Sequence, residues 1–323
     1  MIRTCTALCL LPLSAIAETP QVMTDIAPIH SLTAQVMGEL GTPDLLLPPS
    51  ADPHDFSLRP SDAGRLANAD LVIWVGEGLT PWLEEPLTTL APNAVMRELL
   101  ATEGWEQLAP RDVEEHSDDH DEHDEHDEHD EHDEHDEHDE HDEHDEHDHH
   151  DHGDVDPHAW LDPTIAANWV AVIAADLSAA DPENADTYAA NAESAIARLT
   201  ALDTQIKSTL SQVPATGYLL PHDGYHYFEH RYGLEATAMI AGIDARAPGP
   251  AKVAELRDLV AAGNVHCVFS DNEISPRTTA LITEQSNAKT QTLDGIGMTL
   301  TPGPELYEAL LSGLATAFSD CLS

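Results

Sequence analysis

From residue 114 to residue 154 the chain carries no apolar side chain, and the centre of this stretch, residues 121–147, is nine consecutive Asp-Glu-His triplets. Such a segment buries nothing that could offset the entropy of ordering it. A period of three also drifts around an α-helix, so no fixed face builds up. The tract therefore reads as a disordered, acidic His-rich loop, and any folded body must come from the stretches on either side. It also concentrates the charge. Of 61 acidic residues, 25 lie in the tract with no Lys or Arg, which leaves 36 acids against 13 bases elsewhere in a chain of formal net charge −48. The remaining acidity still argues against nucleic acid and anionic membrane surfaces as partners, since both require basic patches.

Outside the tract, strand-like and helix-like segments alternate. Gln21–Asp25 reads as a strand and Pro28–Met37 as a helix; Asp44–Leu47 is a short strand, and a helix opens at Pro60-Ser61. Leu71–Val75 (LVIWV) has the continuous apolar character of a strand covered on both faces. A helix from Pro81 and a strand near Val95 complete a first set. The second set runs through strands Tyr218–Pro221, Ala236–Ile240, Val265–Ser270 and Thr290–Asp294, and helices Gly224–Tyr232, Pro250–Ala262, Pro276–Asn287 and Pro304–Phe318. Between the sets, Pro182–Val213 has no internal Pro or Gly. Its apolar positions Ile196, Leu199, Leu202, Ile206, Leu210 and Val213 recur every three or four residues, marking one buried stripe on a helix about 45 Å long. The expectation is an α/β chain of two βα lobes, each a small parallel-type sheet with flanking helices, joined by one long backbone helix. The divisions are 18–180, including the loop 114–154, then 181–213 and 214–323. At 5% aromatic and 41% apolar, the core should be rich in Ala, Leu and Val.

The first 17 residues place Arg3 before an apolar run ending in Ala15-Ile16-Ala17, the small-x-small pattern of a signal-peptidase site. The run, about 13 residues, is too short to span a bilayer. Export to the periplasm with cleavage near Ala17 is expected. A lipid anchor on Cys9 is disfavoured, because no small residue directly precedes it. Cleavage would remove Cys5 and Cys9 and leave Cys267 and Cys321, a pair that an oxidising compartment favours as a disulfide over two thiolate metal ligands.

Fourteen of the 21 histidines fall in the tract: His116, His120, His123, His126, His129, His132, His135, His138, His141, His144, His147, His149, His150 and His152. Solubility alone would need only the Asp and Glu, so imidazole at every third residue points to weak, multi-site capture of a borderline divalent metal. At four donors per ion the tract could take up about three to five zinc ions. Protonation should empty these sites below about pH 6, a threshold that acidic neighbours raise.

Four residues outside the tract stand where a single tighter site could form. His54 and His158 both sit in Asp-Pro-His sequences, His222 tops the Tyr218–Pro221 strand, and Asp294 ends the Thr290–Asp294 strand. Open α/β sheets bind ligands beyond the carboxyl ends of their strands. Three imidazoles and one carboxylate suit zinc, whereas Mn²⁺ favours more carboxylate. Of the other candidates, His226 and His230 continue a four-residue spacing from His222 on a short helix, below the cleft end. His30 reads as a capped or core histidine, and His266 as an edge residue of the Cys267 strand. Asp271 and Glu273 read equally as hydrogen-bonding partners of a ligand histidine or as solvent-facing loop acids.

These residues carry a resemblance. Asp52–Pro60 with Ser61-Asp62, Ala69–Val75, Asp156–Pro163, Pro221–Phe228, Cys267–Phe269 and Thr292–Gly295 are similar to the metal-binding class of periplasmic solute-binding proteins, specifically its zinc-uptake branch. The acidic His-rich insertion ahead of the second histidine is itself a mark of zinc-specific members, and the likeness covers residues 20–323. It implies two lobes on a backbone helix with limited hinge motion, zinc as cargo, and delivery to the membrane permease of an ABC transporter. It also implies His54, His158 and His222 as zinc ligands, and a Cys267–Cys321 disulfide. The fourth ligand varies in the family between the acid matching Asp294, an acid just before the first histidine, and water. Pro53 occupies the second of these positions, which leaves Asp294 or water. A monomeric binding protein is therefore expected, not an enzyme: no HExxH motif or comparable Glu base accompanies the candidate ligands. The competing reading is a periplasmic zinc buffer acting mainly through the His-rich loop, without a dedicated permease.

Overall fold

The computed structural model describes residues 19–111 and 155–323. The leader 1–17, and within the acidic segment the histidines from His116 to His152, lie outside the described residues.

The first lobe is built on four parallel strands, β1 (Val22–Thr24), β2 (Asp44–Leu45), β3 (Leu71–Trp74) and β4 (Val95–Glu98), in the order β2-β1-β3-β4. Helices α1 (Ala27–Met37), α2 (Pro60–Leu66) and α3 (Glu84–Leu90) connect them. All four side chains of β3 are buried, as its unbroken apolar run requires. Next come α4 (Pro163–Ala180) and α5 (Ala185–Leu210). The second lobe repeats the strand order, β6-β5-β7-β8, with β5 (Gly217–Leu220), β6 (Ala238–Met239), β7 (Val265–Ser270) and β8 (Lys289–Thr292) all parallel. Its helices are α6 (His226–Tyr232), α7 (Pro250–Ala261), α8 (Pro276–Thr283) and α9 (Leu306–Leu322). This is the expected α/β architecture of two lobes and a long helix.

Proline opens α2, α4, α7 and α8, where its fixed φ is preorganised and its missing N–H costs nothing. At α4 the Asp162 carboxylate completes the start by accepting from Thr164 N at 2.7 Å. The long helix is shorter than the 182–213 stripe suggests. Pro182–Asn184 form a 3-10 turn, held by Asn184 and Tyr188 donating to the Asp181 carboxylate at 2.7 and 3.0 Å, and α5 proper runs 26 residues, about 39 Å. Leu199, Leu202, Ile206 and Leu210 are buried along it, packed against α4, α9 and α1, while Ile196 and Val213 are half-buried. The expected helix 276–287 stops at Thr283, because Gln285 adopts a left-handed conformation with φ 63°.

One apolar core runs through both lobes and along α4 and α5, and a smaller one lies between β5, β7, α7 and α8. Cys267 on β7 and Cys321 on α9 form a disulfide with Cα atoms 5.8 Å apart. His266 sits on an inner strand, not at an edge as its sequence suggests. It is exposed because a register shift opposite Gly217 and Tyr218 leaves it without a partner on β5.

Candidate metal centre

The three histidines singled out in the sequence come together at the carboxyl ends of the strands. His54 lies in the loop after β2, His158 just ahead of α4, and His222 two residues past β5. The rings of His54 and His158 have centroids 5.5 Å apart, as do those of His158 and His222. Imidazoles bound to one tetrahedral zinc through bonds of about 2 Å would have ring centres about 5 Å apart, and these two separations are near that value. His158 and His222 are buried and His54 half-buried. Between the lobes lies a cavity of about 10 Å³, bordered by Pro53, His158, His222, Tyr225, Glu273 and Gly295 among others. That is room for a single small ion or water.

Local chemistry explains how each ring is held. In both Asp-Pro-His sequences the aspartate accepts from the histidine's own backbone N–H: Asp52 from His54 at 2.8 Å and Asp156 from His158 at 2.9 Å. Asp156 Oδ1 also lies 2.9 Å from His158 Nδ1. His222 Nδ1 lies 2.8 Å from Asp271 Oδ2, while Asp271 Oδ1 accepts from the N–H groups of Glu273 and Ile274 at 3.0 and 2.9 Å. In both rings a carboxylate at Nδ1 leaves Nε2 as the donor, the arrangement that orients metal-bound histidines. Gly224 makes room for this: a Cβ there would lie 2.1 Å from His222 Nε2. Around the site, Trp82 Nε1 donates to Pro53 O at 2.8 Å and Trp160 Nε1 to Gly295 O at 2.8 Å.

Electrostatics separate the two buried rings. Burial, with the neighbouring His222 charge, pushes His158 down to about 3, so it is neutral and ready to donate. Burial also opposes charge on His222, but Glu273, Asp271 and Asp223 outweigh it and raise the ring to about 9. Burial lifts Glu273 to about 7, with Asp271 and Asp52 adding to the rise and His222 opposing it. Burial raises Asp156 to about 6, against its backbone hydrogen bond. Near neutral pH the metal-free site thus keeps a proton on His222, beside Glu273.

Asp294 is placed differently from the histidines. Its Oδ1 accepts from the N–H groups of Gly297 and Met298 at 2.7 and 2.9 Å, and its Oδ2 from Thr299 N and Oγ1, both at 3.0 Å. Like His54, it does not itself line the cavity, although its neighbours Gly295 and Ile296 do. Among the described residues, His222, Asp271 and Glu273 offer ligand atoms that all lie within 4.8 Å of one another. His30 is buried, with Nε2 3.0 Å from Pro43 O, as a capped core histidine should be. His226 Nδ1 lies 3.7 Å from Asp156 Oδ2, beyond hydrogen-bond reach, and His230 is exposed.

Arg111 Nε donates to Asp223 Oδ1 and Nη1 to Glu229 Oε2, both at 2.7 Å, and Tyr218 donates to Glu229 Oε1 at 2.5 Å. Leu108 N donates to Tyr227 Oη at 2.9 Å, and Asp156 N to Leu108 O at 2.8 Å. The first-lobe segment ending at Arg111 is thereby pinned to α6 and to the residue next to His222. Arg111 is the last basic residue before the acidic tract, and that isolation is the only trace of this role in the sequence.

The family described as "ZnuA: Zinc-uptake complex component A periplasmic" matches residues 22–321. The high-affinity zinc uptake system protein ZnuA of Paracoccus denitrificans (strain Pd 1222) is 47% identical over 311 residues, covering 96% of this chain and 94% of that protein. The protein of the same description from Brucella suis biovar 1 is 38% identical over 313 residues, with the same coverage of each chain. In fold, a crystal structure of ZnuA superposes with a TM-score of 0.73 at 20% identity, covering 94% of this chain and 100% of the other. A ZnuA deletion mutant with zinc bound gives the same TM-score and identity, covering 94% and 98%. The chain belongs to the ZnuA family, the periplasmic component A of zinc-uptake complexes.

Proposed function

We propose that the chain captures one zinc ion reversibly in the periplasm, between its two lobes, and passes it to the membrane permease of an ABC-type importer. His54, His158 and His222 are its imidazole donors. Residues 1–17 direct export and are removed near Ala17, and the mature protein acts as a monomer. The observation that carries the reading is the convergence of three imidazoles from remote parts of the chain, the His158 ring lying 5.5 Å from that of His54 and 5.5 Å from that of His222. Two of them are turned by buried carboxylates so that Nε2 is the donor. Three imidazoles favour zinc over harder divalent ions. The cargo is neither activated nor transformed, and the chain's own task is to hold it and let it go.

In this reading the histidines from His116 to His152 form weaker, multiple sites that gather zinc. Metal titration of the mature protein and of a variant lacking residues 116–152 tests the division of labour. The deletion should remove the weak sites and leave one tight zinc site, and His222→Ala should weaken that site by about two orders of magnitude or more. If tight binding disappears with the deletion, the chain is a zinc buffer acting through its loop.

A further inference from the structure

We infer that Glu273 is the fourth zinc donor, and that Asp294 serves as a turn-stabilising carboxylate outside the coordination sphere. The inference rests on the zinc-capture reading above and adds a residue to it.

Glu273 lies in the loop between β7 and α8, on the second-lobe side of the cavity, and its side chain is 7% exposed. Its Oε2 is buried and makes no hydrogen bond; the same is true of His222 Nε2. The two atoms face each other at 3.3 Å. They meet as an ion pair without hydrogen-bond geometry, which leaves both buried atoms short of a full partner. In a tetrahedral zinc site with metal–nitrogen and metal–oxygen bonds of about 2 Å, neighbouring donor atoms are separated by about 3.3 Å. The observed separation is therefore the edge of such a tetrahedron. A zinc ion beside that edge would satisfy both atoms at once.

The loop is shaped to present the carboxylate. Asp271 holds His222 Nδ1 with one oxygen and, with the other, accepts from the backbone N–H groups of Glu273 and Ile274. One aspartate thus fixes the orientation of the ring and folds the turn that carries Glu273 back over it. Asp271 is spent in doing so and works as a positioning residue. Asp294 is spent too, since both its oxygens are engaged by the turn at 297–299. With His54 and His158 from the first lobe, and His222 and Glu273 from the second, each half contributes two donors. Three neutral imidazoles and one carboxylate leave the bound centre with a single positive charge.

The test compares the mature proteins carrying Glu273→Gln, Asp294→Asn and His158→Ala by competition with a zinc chelator and by the visible spectrum of bound Co²⁺, whose intensity and band positions follow coordination number and donor type. Glu273→Gln should lower zinc affinity about a hundredfold and change the Co²⁺ spectrum. Asp294→Asn should keep affinity within about threefold and leave the spectrum unchanged, while lowering the melting temperature of the metal-free protein. The inference is overturned if Glu273→Gln keeps wild-type affinity, or loses affinity with an unchanged Co²⁺ spectrum, or if Asp294→Asn is the variant whose spectrum changes. His158→Ala separates the two levels. If it too retains tight binding, the three-histidine site itself is misplaced; if it alone loses binding, only the role of Glu273 falls.

Discussion

At the scale of single residues, the site depends on a proton, a missing methyl group and a charge partner. Zinc needs His222 neutral and Glu273 ionised, yet the metal-free site holds His222 up at about 9 and Glu273 up at about 7. Binding therefore displaces a proton. Affinity should rise about tenfold per pH unit between 7 and 9, level off once His222 has lost its proton, and fall more steeply below 7 as Glu273 also takes one up; chelator competition across that range measures the slope. Gly224→Ala would put a Cβ onto His222 Nε2. The ring can move away only by giving up Asp271, so zinc affinity should drop by about tenfold or more while the far-ultraviolet circular dichroism stays unchanged. Two of the three histidines, His54 and His158, were legible in the sequence for a local reason. In Asp-Pro-His the aspartate caps its own turn two residues on, at Asp52 and again at Asp156. Asp271, 49 residues from His222, was left undecided because no local pattern distinguishes a carboxylate that meets a ring through tertiary packing from one facing solvent.

At the scale of elements, periodicity and punctuation located strands and helices well where one face differs from the other. β7 has the limits read from its sequence, and the α5 stripe is buried as expected. α4 shows no such stripe, since that helix is Ala-rich and apolar nearly all round and marks no preferred face. The junction between Arg111 and α6 left no pattern in the sequence beyond the isolation of Arg111, being a tertiary ion pair. Asp223 is wholly buried and Glu229 nearly so, with Arg111 about a quarter exposed. Arg111→Met would leave two buried carboxylates without their cation. We expect a loss of about 3 kcal/mol in unfolding free energy, measured by urea titration of the metal-free protein.

At the scale of the whole molecule, the two lobes repeat one strand order, and the chain's ends are knitted across them. The Cys267–Cys321 bond closes a separation of 54 residues, which in the chain-entropy account contributes about 4 kcal/mol. The double substitution Cys267→Ser/Cys321→Ser should lower the melting temperature by several degrees and leave zinc stoichiometry unchanged, as scanning calorimetry with and without zinc would show. The helix that this bond secures, α9, also receives α1. Tyr307 N donates to Ser31 Oγ at 3.0 Å across 276 residues of chain, and Gln35 donates to Pro304 O at 2.8 Å. The earliest helix therefore cannot finish its packing until a helix nearly 280 residues later has been made. Contacts so distant in sequence close slowly. The packing of the first helix is thus completed only when the last one is present, so the two ends of the chain are fixed together rather than in turn.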